Sequence, residues 1–208
     1  MTRLAVSLAT VLVIAGGGAI YVMMTGQQGD PFAQCRVSNV AGGSAQIGGP
    51  FELVSETGET VTEAEADVID KPTLIYFGYT FCPDVCPMDA ARNAAAVDIL
   101  EERGEIVKPV FISVDPARDT PEVLAEFTDY MHPRMVGLTG SPEQVRAASK
   151  AYRTYYQAQD SGDDEFYLVD HSTMSYLTLP GHGFVDFFRR DASAEQIADR
   201  VQCFIEAS

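Results

Sequence analysis

Cys82 and Cys86 are the residues whose type and spacing point most directly to chemistry. They lie in the segment FGYTFCPDVCP, between a continuous apolar run and an Ala-rich stretch that is typical of a helix. Pro87 disfavours helical geometry at Cys86, so we expect the helix to begin at Pro87 with Cys86 at its mouth. A helix N-terminus stabilises the thiolate, which is the form of cysteine that attacks disulfides and binds metal ions.

The short spacing lets these two sulfur atoms form a disulfide or bind one ion together. A disulfide that only stabilises the fold is the alternative, but a bridge that closes so short a loop restricts the unfolded chain little. Two thiolates without further ligands suit zinc, Cu(I) or a redox-active dithiol. A structural zinc site takes four protein ligands, and the other two cysteines, Cys35 and Cys203, are distant in the sequence.

Three histidines are available to complete such a site. His171 ends an apolar run in YLVDHSTMSYL, where Asp170 and Ser172 could orient its ring. His132 follows a predicted helix and His182 stands between two glycines, so a helix cap and a hairpin turn account for them. The residues alone leave His171 open, either as a ligand or as a solvent-facing or otherwise satisfied side chain.

The elements that must position these side chains alternate between strand and helix patterns. The apolar runs TLIYFGYT and VKPVFISV predict strands that are buried on both faces. The predicted elements are a hairpin over 51–63, strands over 73–80, 107–114, 135–138, 166–179 and 184–189, and helices over 87–103, from 120, over 141–156 and from 193. This alternation predicts an α/β fold with a central sheet.

Residues 4–24 (LAVSLATVLVIAGGGAIYVMM) carry no charge and are numerous enough to span a bilayer as a helix. A cleaved signal peptide is the alternative, because residues 15–19 resemble a cleavage region, but the apolar run is longer than such a peptide needs. Arg3 precedes the run and the next basic residue is Arg36, so residues 1–3 are expected in the cytoplasm and the rest outside. The segment lacks the Arg- and Ser-rich character of a mitochondrial transit peptide, which favours a bacterial inner membrane with the domain in the periplasm.

The remainder is expected to form one tethered domain. Residues 25–47 are rich in Gly, Gln and Ser and predict a tether, and residues 48–208 are the predicted domain. The chain has a net charge of −16, with 30 carboxylates against 14 Lys and Arg. This argues against a nucleic-acid partner, which would require a basic stripe.

Three stretches of the chain, FGYTFCPDVCP, ISVDPARDTPEVL and YLVDHSTMSYL, resemble the signatures of the SCO/SenC family. Its members are membrane-anchored copper proteins required for assembly of the binuclear copper centre of cytochrome c oxidase. The resemblance spans roughly Gly48 to the last predicted helix. It implies a thioredoxin-like fold, with a central mixed sheet flanked by helices and an N-terminal hairpin.

The resemblance also implies that Cys82, Cys86 and His171 bind copper, as Cu(I) or Cu(II). Two soft thiolates with one imidazole suit Cu(I). Asp84 and Asp170 are candidates to support these ligands through hydrogen bonds without binding the metal.

The second of these stretches contributes Asp115, Arg118 and Asp119. We expect these residues to brace the loop around Pro116 and Pro121.

Two functions of different classes follow from the resemblance. The first is a metallochaperone that delivers copper to subunit II of cytochrome c oxidase. The second is a thiol–disulfide oxidoreductase that reduces the copper-ligand cysteines of that subunit, with Cys82 and Cys86 as its redox-active pair. Other periplasmic copper chaperones or thiol reductants are further expected partners. A peroxidase is a weaker alternative because nothing marks a peroxide pocket, and a copper or redox sensor without metal transfer remains open.

The two remaining cysteines depart from the simplest family pattern. In the last predicted helix the apolar stripe is formed by Ile197, Val201, Phe204 and Ile205, and at ~100° per residue Cys203 points ~145° away from its centre. Cys203 is therefore placed to meet something outside the stripe, and Cys35 is its available partner. We predict a Cys35–Cys203 disulfide, which requires an oxidising compartment.

Overall fold

The computed structural model describes residues 30–37, 47–63, 71–162 and 166–208. These residues form the following elements: β1 (Glu52–Ser55), β2 (Thr60–Thr62), β3 (Thr73–Gly78), α1 (Val85–Glu102), β4 (Lys108–Ser113), α2 (Pro121–Met131), β5 (Val136–Thr139), α3 (Pro142–Ala151), β6 (Tyr156–Ala158), β7 (Val169–His171), β8 (Ser175–Leu179), β9 (Gly183–Phe188) and α4 (Ala194–Glu206). The chain divides into two compact units, Met1–Gln34 and Cys35–Ser208. In the first unit the described residues form a turn, where the backbone N–H of Ala33 donates to the carbonyl of Asp30.

Seven strands form the main sheet in the order β2-β1-β5-β4-β3-β8-β9, and β6 pairs with β7 in a separate two-stranded ribbon. Strands β3, β4 and β5 run parallel, whereas β1, β8 and β9 are each antiparallel to a neighbour. All six residues of β3 are buried, as expected for a central strand that is covered on both faces. This mixed sheet flanked by helices is the thioredoxin-like α/β fold.

The local signals in the sequence account for most of the element boundaries. β1 and β2 form the predicted hairpin, whose turn contains Gly58 at a φ of +83°. Thr120 caps α2 by accepting a hydrogen bond from a backbone N–H, and both capping boxes form, at Ser141 and Ser193. These predictions are confirmed.

Two helix boundaries differ from the prediction. α1 begins at Val85 instead of Pro87, so Cys86 lies within the first turn. Pro87 is tolerated there because the N–H groups of the first turn have no partner within the helix. α3 ends at Ala151 instead of residue 156, because the chain turns at Arg153, where φ is +51°, and the aromatic residues that follow enter β6.

The predicted strand over 166–179 is two strands. β7 and β8 are separated by residues 172–174 because they pair with different partners. β7 pairs with β6 in the ribbon, and β8 lies between β3 and β9 in the main sheet. This break places His171 at the end of the ribbon.

The last helix closes the domain against α1 and the sheet. Three residues of its predicted apolar stripe, Ile197, Val201 and Phe204, are fully inaccessible, whereas the fourth, Ile205, is half-buried. Arg200 on the same helix forms an ion pair with the buried carboxylate of Asp186 in β9. Apolar packing and a paired buried charge together fix the helix on the sheet.

The predicted anchor (4–24) and the residues before it lie outside the described part of the chain, as does most of the predicted tether (25–47). Among the residues that the structure describes, no helix is both long and apolar enough to cross a membrane.

Candidate metal centre

Cys82, Cys86 and His171 meet at the carboxyl end of β3. The loop after β3 carries Cys82, the first turn of α1 carries Cys86, and β7 ends on His171. The three ligand atoms lie within 4.8 Å of one another, and Cys86 Sγ is 3.2 Å from His171 Nε2. Sites in open α/β sheets form at this edge.

The imidazole of His171 is held in one tautomer. Its Nδ1 lies 2.9 Å from the carbonyl oxygen of Ser172, which can only accept, so Nδ1 carries the proton and Nε2 presents its lone pair to Cys86. The rings of Tyr76 and Tyr79 each contact the imidazole in a T-shaped arrangement, with an angle of 87° between the ring planes. Burial lowers the pKa of His171, so the ring is neutral near pH 7 and Nε2 is available as a ligand.

Cys86 is fully buried against the sheet. Burial raises the pKa of its thiol far above the usual value, and the neighbouring Cys82 sulfur adds to this effect. The S–H therefore donates to Nε2 of His171. Close packing here depends on Gly78, because a Cβ at that position would lie 3.1 Å from Cys86 Sγ and 2.8 Å from the Tyr76 ring.

Cys82 has the opposite environment although it lies only four residues away. Burial acts to raise the pKa of its thiol, but backbone N–H groups of Asp84, Cys86 and Val85 outweigh this and hold the pKa below its usual value. The N–H of Cys86 points at Cys82 Sγ over 3.4 Å. The first turn of α1 thus stabilises a thiolate at Cys82, whereas the sequence placed that effect on Cys86.

Sequence reasoning missed a group of three connected polar side chains behind the site. The hydroxyl of Tyr76 donates to Asp89 over 3.0 Å, and Asp89 forms an ion pair with Arg92 over 3.2 Å. Only 3% of Asp89 is exposed. The acid and base spaced three residues apart on α1 were a usable signal, but nothing in the sequence linked them to β3.

The second signature stretch connects the cysteine loop to the strand beside it. The carboxylate of Asp119 accepts hydrogen bonds from the Ser113 and Thr80 hydroxyls, each over 2.6 Å, and from the Thr80 backbone N–H. Thr80 lies two residues before Cys82, in the loop that follows β3. Asp119 therefore fixes this cysteine loop relative to β4, in addition to any contact with the turn around Pro116.

The two acids proposed to support the ligands lie at the surface. Asp84 is the N-cap of α1 and its side chain makes no capping hydrogen bond. The carboxylate of Asp170 accepts from Gln159 over 2.8 Å and is exposed. The carbonyl of Ser172, and not the carboxylate of Asp170, is the group that orients His171.

A second cluster of possible ligands, formed by Asp98, Glu101 and His132, does not suit a metal. The Nδ1 atom of His132 accepts the backbone N–H of Arg134 over 3.0 Å, so its Nε2 carries the proton and donates to Asp98 over 3.2 Å. Glu101 is paired with the guanidinium of Arg134. The lone pair that a metal would need is already engaged.

The structure separates the four cysteines into two pairs. Cys35 and Cys203 form a disulfide, and Cys82 and Cys86 are free thiols. His182 lies in the turn between β8 and β9, as its flanking glycines predict.

Comparison with known proteins gives this α/β metal-site protein its family. The SCO1/SenC family matches residues 39–206. The SenC protein of Rhodobacter capsulatus is 59% identical over 199 residues, which cover 96% of this chain and 88% of that protein. The chain therefore belongs to the SCO1/SenC family.

Solved structures agree with this assignment. The Arabidopsis thaliana ScoI crystal structure with copper bound has a TM-score of 0.72 at 42% identity, over 77% of this chain and 99% of that one. The yeast Sco1 crystal structure with copper bound has a TM-score of 0.73 at 35% identity, over 78% and 90%.

Proposed function

We propose that this protein is a copper metallochaperone that holds one copper ion between Cys82, Cys86 and His171. The observation that carries the proposal is the convergence of these three ligand atoms within 4.8 Å. Two thiolates and a neutral imidazole are donors that suit Cu(I), and the imidazole also supports Cu(II). Two similar solved structures, from Arabidopsis thaliana and yeast, are described with copper bound.

The chemistry of the donors fits copper as a transferable cargo. Nε2 of His171 already faces the sulfur of Cys86, so binding requires loss of the Cys86 proton and no reorientation of the ring. Only 8% of Cys82 is exposed and Cys86 is inaccessible, which keeps water from the bound ion. A partner thiolate or imidazole that reaches Cys82 could then take the ion by stepwise ligand exchange.

The proposed acceptor is subunit II of cytochrome c oxidase, on its binuclear copper centre. This rests on the resemblance of the three signature stretches to a family that serves oxidase assembly. We further propose that residues 4–24 anchor the protein in a bacterial inner membrane and that residues 48–208 lie in the periplasm. The Cys35–Cys203 disulfide supports an oxidising compartment.

The test uses the full chain in detergent, loaded separately with Cu(I) and Cu(II). Cys82→Ser and Cys86→Ser are expected to abolish tight Cu(I) binding because each leaves a single thiolate. His171→Ala is expected to weaken Cu(II) binding about 10–100-fold and to remove nitrogen coupling from its electron paramagnetic resonance spectrum. His182→Ala, in an exposed turn, is the matched control and should resemble the wild type. Unchanged stoichiometry and spectra in His171→Ala would contradict the three-ligand site.

A second candidate function is thiol–disulfide exchange, which the unequal environments of the two cysteines favour. The Cys82 thiolate would attack a partner disulfide to form a mixed disulfide and release one partner thiolate. Cys86 would then pass its proton to the released partner thiolate and attack Cys82 Sγ, releasing the second partner thiolate. The two electrons pass from the Cys82–Cys86 dithiol to the partner, which leaves this pair as a disulfide.

His171 separates the two functions. A dithiol reductase does not need this imidazole as a ligand, so His171→Ala should retain reduction of an oxidised acceptor while copper transfer falls. The measurement is made on oxidised and reduced apo-subunit II in parallel. Copper transfer to the reduced acceptor supports the chaperone, and reduction of the oxidised acceptor without transfer supports the reductase.

A further inference from the structure

A cationic stack lies beside the metal centre and joins segments that are far apart in sequence. The guanidinium carbon of Arg118 is 3.6 Å from the ring centre of Tyr167, 4.9 Å from that of Phe81 and 5.7 Å from that of Tyr79. Phe81 is next to Cys82, and Tyr167 comes four residues before His171. Arg118 therefore touches both the cysteine loop and the segment that leads to His171.

Hydrogen bonds fix this stack in one geometry. Arg118 forms an ion pair with Asp115 over 2.5 Å and donates to the carbonyl oxygen of Tyr167 over 3.0 Å. The Tyr167 hydroxyl donates to the other oxygen of Asp115 over 2.6 Å. Each of these three residues thus contacts the other two, and only 4% of Asp115 is exposed. A planar guanidinium can stack and donate at once, which an ammonium group cannot do.

The ribbon of β6 and β7 explains why such a tie matters. It is a sheet of its own, so the backbone ladder of the main sheet does not set the position of His171. Cys82 and Cys86, by contrast, follow directly from β3. The distance between the imidazole and the thiols therefore depends on the three-residue connection from His171 to β8 and on side-chain contacts to the ribbon. The contacts among Arg118, Asp115 and Tyr167 provide one of these ties, and the hydrogen bond from the Val169 N–H to the Tyr79 hydroxyl provides another.

We propose that Arg118 is a positioning residue for His171, which sets the third ligand against the thiol pair without touching the metal. The inference rests on the proposed copper site, but its structural part can be tested without copper. Loss of the guanidinium should release the ribbon while Cys82 and Cys86 keep their places. Binding through sulfur alone would then survive, and the contribution of nitrogen would be lost.

The experiment compares Arg118→Lys and Arg118→Met with the wild type in the full chain. Arg103→Met is the control, because Arg103 is also ion-paired, but it lies at the C-cap of α1 and its partner Asp199 lies on α4. In the apo protein, amide hydrogen exchange at residues 167–171 should rise about tenfold or more in both Arg118 variants and remain unchanged in α1 and β3. In the Cu(II) form, nitrogen coupling from His171 should weaken and affinity should fall about 10–100-fold, while Cu(I) stoichiometry is retained.

Two outcomes would overturn the positioning role. The first is wild-type exchange at 167–171 together with wild-type nitrogen coupling. The second is an exchange increase of equal size in α1 and β3, which would mean that Arg118 only stabilises the whole domain. If the wild type itself binds no copper, the proposed function fails, and the apo exchange measurement still decides whether Arg118 holds the ribbon.

Discussion

At the scale of single residues, Cys82 and Cys86 share one loop but hold their protons differently. Backbone N–H groups favour the thiolate of Cys82, and burial keeps Cys86 protonated and hydrogen-bonded to His171. The pair therefore combines one nucleophile that is 8% exposed with one inaccessible sulfur. In the proposed ligand exchange, the less buried sulfur would leave the ion while the inaccessible one retains it.

Copper binding should consequently release protons. Cys86 must lose its proton to become a ligand, whereas His171 is already neutral because burial lowers its pKa. The raised pKa keeps Cys86 protonated over the neutral range, so protons compete with Cu(I) for this sulfur more strongly as the pH falls. We expect the Cu(I) dissociation constant to rise at least about tenfold for each pH unit lowered, which is the slope for the proton that Cys86 releases.

Competition with a Cu(I) chelator at pH 6, 7 and 8, corrected for protonation of the chelator, measures this slope. His171→Ala is the control, since removing a neutral imidazole releases no proton and should leave the slope unchanged. A dissociation constant that is independent of pH would show that Cys86 is already a thiolate in the apo protein.

At the scale of elements, the sequence predicts those features that depend on residues close together in the chain. The hairpin over 51–63, the cap at Thr120 and the capping boxes at Ser141 and Ser193 depend on neighbours within a few positions, and all form. The end of α3 and the division of 166–179 into β7 and β8 depend on which strands pair in three dimensions. Periodicity does not contain that information.

The same distinction applies to the candidate site. The cysteine pair follows from one short segment, so its residues were recognisable from their own chemistry. His171 lies 85 residues beyond Cys86, and the ribbon that carries it is held by side-chain contacts from Arg118 and Tyr79. Such long-range contacts have no local pattern, so the residues alone could not assign the imidazole.

The anchor of the cysteine loop gives a prediction at this scale. The Asp119 carboxylate is fully buried and accepts from Thr80 and Ser113. Asp119→Ala removes the acceptor and leaves buried donors unsatisfied, so we expect the free energy of unfolding to fall by about 3 kcal/mol. Urea denaturation of the full chain measures it. Asp191→Ala is the control, because the exposed ion pair of Asp191 with Arg189 should be worth less than about 0.5 kcal/mol.

A loss below about 1 kcal/mol in Asp119→Ala would contradict the anchoring role. A large loss with unchanged Cu(I) affinity would show that Asp119 stabilises the domain without shaping the thiol pair.

At the scale of the whole molecule, the sheet order brings the reactive loop and the closing helix together. β3 lies between β4 and β8, so the loop at its end is bordered by segments from both halves of the chain. α1 leads from this loop and packs against α4. Cys86, in the first turn of α1, and Cys203, on α4, thus lie on two helices in mutual contact.

The disulfide joins positions 168 residues apart and fixes the chain where it enters the domain. Arg36, next to Cys35, donates to the carbonyl of Val185 over 3.2 Å and holds the same segment along β9. Because so long a loop is closed, the double variant Cys35→Ser/Cys203→Ser should lose up to about 5 kcal/mol of unfolding free energy in the chain-entropy model.

Urea denaturation of the wild type and the double variant, both without reductant, measures the loss. Copper stoichiometry should be unchanged in the variant, because Cys82 and Cys86 are free thiols and take no part in the disulfide. A loss below about 1 kcal/mol would mean that folded contacts such as the Arg36 hydrogen bond already restrict the chain. Lost copper binding with full stability would instead show that Cys35 or Cys203 takes part in the metal site, against the separation of the two pairs.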